Sequence, residues 1–146
     1  MDQLDIDLRN ATYRRFVELG RAPSAGELAT TLGLDEQAVA AGWRRLHDGH
    51  ALVLDEVGAI RMANPFSGVP TPFRVEADGR SWYANCGWDG FGIGAALQVD
   101  STIHTECHDC HEPLDLAVTG GRPDDTDLVF HVPVPAARWW DDIGST

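Results

Sequence analysis

Apolar residues near the start of the chain recur at helical spacing. Leu8, Tyr13, Phe16, Val17 and Leu19 predict a helix over residues 6–19, ended by Gly20 and Pro23. Ser24-Ala25-Gly26-Glu27 has the capping-box pattern, in which a serine hydroxyl and a glutamate three residues on satisfy each other's backbone N–H groups, so a second short helix should start there. Gly33 is placed as its C-terminal cap, with Leu34 as the apolar follower. Asp35 can cap a third helix running to about His47, with Val39, Trp43 and Leu46 on its buried face. The pattern then changes, and "ALVLDEVGAIRMA" predicts two short strands around a turn.

Three helices followed by a hairpin predict a winged-helix-like module over residues 1–63. "NPFSGVPTPF" (64–73) is rich in proline and glycine and is expected to be a linker or extended crossing segment. Beyond it, "FRVEADGRSWYANC" predicts a hairpin turning at Asp78-Gly79. "WDGFGIGAALQ" predicts a short helix despite its glycines. "STIHTEC" and "PLDLAVT" predict alternating strands, and "LVFHVPVP" one more, with its prolines at an end or exposed edge. The expected fold class is therefore α+β. The second part, residues 64–146, is a small, mostly antiparallel sheet domain with one short helix.

Charge narrows the possible partners. All eleven basic residues are arginine, against 23 acids, for a formal net charge of −12. Residues 63–146 carry four arginines and thirteen acids, so the negative field is concentrated in the second half. Such a field repels phosphate backbones, which makes nucleic acid an unlikely partner. No apolar run reaches the roughly 20 residues needed to span a bilayer. The acidic "MDQLDIDLRN" start lacks the apolar core of a secretory signal, so the expected location is cytoplasmic, with reduced thiols.

Three stretches carry candidate chemistry. "HTECHDCHEPL" packs Cys107, Cys110, His104, His108 and His111 into one loop and contains the C-x-x-C-H of a haem attachment site. The expected compartment opposes haem attachment. Zinc wants four converging ligands, which residues so close in sequence rarely supply. A turn with exposed histidines is the plainer expectation. "GFGIGA" approximates a dinucleotide-binding glycine pattern, but antiparallel strand patterning follows it where a βαβ unit would be needed. "WYANCGWDGFGI" places Cys86 near a helix N-terminus, which favours a thiolate, and Asp89 on the same side of the first turn. Trp82, Tyr83, Trp88 and Phe91 are expected to wall a water-poor pocket around the pair. From spacing alone, a small buried core cysteine is an equal alternative.

The run from "PFS" through "FRV", "WYANCGWD" and the hairpin cysteine to "ARWWDDIGST" resembles the organomercurial (alkylmercury) lyase family, and the helical N-terminal region is similar to that family's too. The resemblance implies that Cys86 binds mercury and that Asp89 shuttles a proton to split a carbon–mercury bond. The substrate would be a small organomercurial, external low-molecular-weight thiols would assist, and no cofactor would be required. Soft thiolate is the matching ligand for a soft cation. Cys107 corresponds to a structural hairpin cysteine of the family, whereas Cys110 is an addition here and a candidate substitute mercury ligand. The family's second catalytic cysteine would fall shortly after "WWDDIGST", so the resemblance implies a catalytic core that is incomplete at its C-terminal end. The alternative is a non-catalytic or repurposed relative that binds soft ions (mercury, copper) or acts on another carbon–heteroatom bond. A winged-helix regulator sensing a metal is a third.

Overall fold

The computed structural model describes residues 2–124, 127–132 and 134–143. It opens with three helices, α1 (Gln3–Leu19), α2 (Ala25–Leu32) and α3 (Glu36–Asp48). Their boundaries follow from local chemistry. The Asp2 carboxylate caps α1, and Gly20, in the left-handed region, closes it by donating to the Phe16 carbonyl. The Ser24–Glu27 capping box is complete in both directions, and Gly33 ends α2 at φ 67°. Asp35 caps α3 through the Ala38 N–H. Leu8, Phe16, Leu28, Val39, Trp43 and Leu46 are buried where these helices meet. Inside that core the Trp43 indole N–H donates to the Thr12 hydroxyl (2.9 Å), which itself donates to the Leu8 carbonyl. Gly42 lets α3 lie close to α1, because a Cβ there would force the Leu8 side chain to shift.

A three-stranded antiparallel sheet follows, in the order β1 (Val53–Leu54), β2 (Ile60–Ala63) and β3 (Phe66–Ser67). The third strand makes part of the 64–73 stretch extended, the second of the two alternatives expected there, and not a free linker. Met62 pairs with Ser67 and Ala63 with Phe66, across a tight turn through the cis Asn64–Pro65 bond. Phe66 is fully in the core, stacked on Phe16 at 5.3 Å and edge-on to Trp82 at 6.2 Å. Proline and glycine content did not mark this one deeply buried aromatic, which anchors the segment to both halves of the molecule.

The second sheet has five antiparallel strands in the order β5 (Arg80–Tyr83), β4 (Arg74–Ala77), β6 (Ser101–Glu106), β7 (Pro113–Thr119) and β8 (Arg122–Pro123). Asp78 and Gly79, both at positive φ, make the expected β4–β5 turn. Helix α4 (Gly87–Leu97) lies across this sheet. It packs closely because Gly90 and Gly94 face Ile103 and Ser101 of β6, where any Cβ would be in or beyond tight contact. An isolated bridge between Phe66 and Ala84 joins the two sheets just before Cys86. The α+β arrangement is thus as expected.

The strand expected over "LVFHVPVP" is absent among the described residues of that stretch. The free edge of β7 is occupied by β8 instead, and prolines cannot donate to a ladder. Residues 127–132 and 134–135 form no regular element and lead to a 3₁₀ helix, Ala136–Asp141; this strap lays Phe130 against Gly87 and Trp88 at the start of α4. Trp140 stacks on His50 at 4.3 Å, anchoring the strap to the end of the helical bundle.

Candidate active site

Cys86 is the N-cap of α4, in extended conformation, with its carbonyl accepting the Gly90 N–H at 2.9 Å. The residue leaves the β5 end and turns into the helix, and Asp89 follows in the first helical turn. Both line one cavity of about 400 Å³ whose other walls include Met62, Asn64, Phe73, Trp88, Phe130, His131, Val132 and Trp139. Gly87, between them, is pressed by the strap: a Cβ there would sit 2.7 Å from the Phe130 ring. Trp88 is 60% exposed and leans toward Phe130 at 6.3 Å, at the mouth of the cavity.

The sequence expectation of a thiolate-favouring helix terminus is reversed by burial. The Cys86 thiol is held above its ordinary value, chiefly by desolvation; the Asp89 and Trp88 N–H groups oppose this, and the Asp89 charge adds to it. The Asp89 carboxyl is also raised by desolvation, against a lowering contribution from Asn85. Asn85 Nδ2 donates to Asp89 Oδ2 at 2.9 Å and to Asn64 Oδ1 at 3.0 Å. The Asn64 carbonyl in turn accepts the Tyr13 hydroxyl at 3.0 Å. Tyr13 belongs to α1, lies beneath the Arg9 guanidinium at 4.7 Å, and has its own acidity weakened by burial. Hydrogen bonds through Asn85 and through both the side chain and the backbone of Asn64 therefore tie the Asp89 carboxyl to the helical bundle.

The four aromatics expected to wall the pocket separate in the structure. Trp88 lines the cavity. Trp82 is 3% exposed and belongs to the core, its indole N–H donating to the Val17 carbonyl at 3.2 Å. Alternation along β5 turns Tyr83 to the face opposite Trp82, and it does not line the cavity either. Phe91 lines a separate apolar cleft on the other side of α4, with Ala95, Val99, Val118 and Pro123. Sequence reading missed Asn85, Asn64, Tyr13, Phe130 and His131. Asn85 was legible in principle, being adjacent to Cys86 and four residues from Asp89, the spacing that puts side chains on one helix face. Nothing local marked the others, which arrive through the β2–β3 turn, α1 and the strap.

The Cys/His loop closes the β6–β7 hairpin. Cys107 N–H donates to the Glu112 carbonyl at 2.9 Å, and His111 N–H to the Cys107 carbonyl at 2.8 Å. Cys107 is half-buried and Cys110 exposed; neither lines the Cys86 cavity. The Cys107 thiol is held below its ordinary value by the N–H groups of Cys110 and Asp109 and by the Cys110 side chain. The histidines do not converge on the sulfurs. His104 is engaged by Asp115 at 2.6 Å and Glu76 at 3.4 Å, and His111 by Glu106 at 3.3 Å. Among the described residues no group of three or more His, Cys, Asp or Glu is placed to hold a metal ion, and no helix is long and apolar enough to cross a membrane.

A half-buried thiol and carboxyl, both kept toward their neutral forms in an aromatic cavity, can bind a soft electrophile and pass a proton beside it. The solved structure of the mercury-bound form of MerB2 shares this fold, with a TM-score of 0.65 and 23% sequence identity over 87% of the present chain. The chain spans 61% of that protein's length. No curated protein matches it. The family model for MerB, alkylmercury lyase, matches residues 66–146, which hold Cys86, Asp89 and the strap. By that match, over more than half of its length, the chain belongs to the alkylmercury lyase family.

Proposed function

We propose that the cavity binds a small organomercurial at Cys86 and that Asp89 moves the proton that cleaves the carbon–mercury bond. The observation carrying this reading is that Cys86 and Asp89 line one cavity, with Asp89 held by Asn85. In the first step the Cys86 sulfur displaces the substrate's exchangeable ligand and forms a sulfur–mercury bond. The thiol proton passes to the Asp89 carboxylate, whose raised affinity for protons suits it to hold one. In the second step Asp89 returns that proton to the mercury-bound carbon. The carbon–mercury bond breaks, hydrocarbon leaves, and mercury remains on Cys86 with a free coordination position. A low-molecular-weight thiol fills that position as its thiolate. Its proton leaves with the ligand displaced in the first step, so two thiol protons account for one hydrocarbon and one protonated leaving ligand.

The desolvated setting supports this chemistry. A neutral thiol at rest avoids a buried charge, and bound mercury then lowers the thiol's proton affinity, so transfer to Asp89 is triggered by substrate. In this reading residues 64–146 supply the reacting groups, while residues 1–63, as a winged-helix-like module in a cytoplasmic protein, supply Tyr13, whose hydroxyl donates to the carbonyl of the cavity-lining Asn64. Purified protein incubated with an alkylmercury compound and excess monothiol should release hydrocarbon. Release no faster than from Cys86→Ala would refute the reading. Stoichiometric mercury binding at Cys86 without release would favour the non-catalytic binder.

A further inference from the structure

We infer that Cys107 and Cys110 form a second, separate site for a two-coordinate soft cation such as Hg²⁺, at the tip of the β6–β7 hairpin. The hydrogen bond from His111 N–H to the Cys107 carbonyl closes one helical turn over 107–111. Residues three apart on such a turn share a face, with Cβ atoms about 5–6 Å apart. That separation exceeds the ~4 Å of a disulfide. It accommodates two metal–sulfur bonds of about 2.3 Å each. The N–H groups of Asp109 and Cys110 interact favourably with the Cys107 sulfur, so part of the charge brought by a thiolate is met by backbone dipoles.

The ligand count sets the chemical class. His104 and His111 are committed to carboxylates, and among the described residues no group of three or more His, Cys, Asp or Glu is placed to hold a metal ion. A tetrahedral ion such as zinc therefore lacks its third and fourth ligands, whereas a soft ion content with two thiolates does not. Glu106, Asp109 and Glu112 surround the turn and add a negative field that favours any cation. The site is independent of the reaction at Cys86, from whose cavity both thiols are excluded.

The test uses the full chain carrying Cys86→Ser, kept reduced, with Hg²⁺ as the probe and millimolar glutathione as competitor. Native mass spectrometry should find one mercury per chain, accompanied by near-ultraviolet sulfur-to-mercury absorption. Adding Cys110→Ser should weaken retention by about tenfold or more, because a lone thiol loses the chelate advantage over the competitor. Far-ultraviolet circular dichroism of the two variants should coincide, since Cys110 is exposed. Absence of bound mercury in Cys86→Ser, equal retention after Cys110→Ser, or retention of Zn²⁺ under the same competition would each overturn the inference. Because Cys86 is absent throughout, none of these outcomes depends on hydrocarbon release.

Discussion

Cys86 and Cys107 leave the same end of one sheet, yet their surroundings push them in opposite directions. Strands β5 and β6 both run antiparallel to β4 between them, so they end on the same side of the sheet, two strand spacings or roughly 10 Å apart. At Cys86, helix dipole and N–H groups are outweighed by desolvation under the strap, and the thiol stays protonated. At Cys107 the Cys110 and Asp109 N–H groups, with the Cys110 side chain, outweigh a smaller desolvation, and the thiol loses its proton more readily. A backbone N–H directed at sulfur is thus no predictor of thiolate by itself. What covers the sulfur decides. The buried thiol suits a reaction that must be triggered by substrate, and the open pair suits capture.

The largest effect expected from this contrast is on turnover. Cys86→Ala should lower hydrocarbon release at least a hundredfold, while Cys107→Ala and Cys110→Ala should leave it within about threefold, since covalent roles are lost outright on truncation. Comparable losses at both sites would erase the distinction. Next in size is alkylation. At pH 7.5, mass-resolved iodoacetamide labelling should modify Cys107 or Cys110 at least about tenfold faster than Cys86, because rate follows thiolate fraction and exposure. Equal rates would show that burial at Cys86 is not what sets its reactivity.

A smaller change should come from Gly87→Ala, which drives a methyl into Phe130. It is expected to cost about 1–3 kcal/mol of overpacking, or to displace the strap and accelerate Cys86 labelling. Unchanged denaturant midpoint together with unchanged labelling would argue that the strap does not cover the site. The smallest effect is a pH dependence. The folded Asp89 carboxyl is raised above its ordinary value of 3.8, so the fold binds this proton more tightly than the unfolded chain. Its contribution to stability is therefore complete below pH 3.8 and is lost as pH rises toward the folded value. Asp89→Asn should match the parent at low pH and become relatively more stable above that window, in paired denaturant titrations. A constant difference across the range would mean Asp89 titrates normally.

How much was legible in sequence depended on whether the deciding contact was local. Ser24 with Glu27, Gly33 after α2, and Asp78-Gly79 between strands are all settled within a few residues, and each element formed where its pattern placed it. The aromatics around Cys86 were a different matter. Trp82 alternates onto the core face of β5, where it meets Phe66 and Val17, while Trp88 in the first turn of α4 faces the cavity. Composition could mark the cluster but not sort it, because the sorting is done by Phe66 and the strap, distant in sequence. The same holds for Tyr13, which carries no local sign of its hydrogen bond to Asn64. The Cys/His loop showed the converse: several metal-binding residue types lie close in sequence, yet two of its histidines turn to neighbouring carboxylates.

The seam between Phe66 and Ala84 bears on how this protein can be divided. The family match starts at residue 66, which makes 66–146 look like a portable unit. Yet β3 is paired to β2, and Phe66 rests on Phe16 of the first helix. Excising the matched segment would strip one strand of its partner and expose an aromatic face to water, an invitation to self-association. In the whole chain the first helix and β2 cover what that excision would expose. Removal of the helical half should yield an insoluble fragment, and the whole chain should melt in a single cooperative transition.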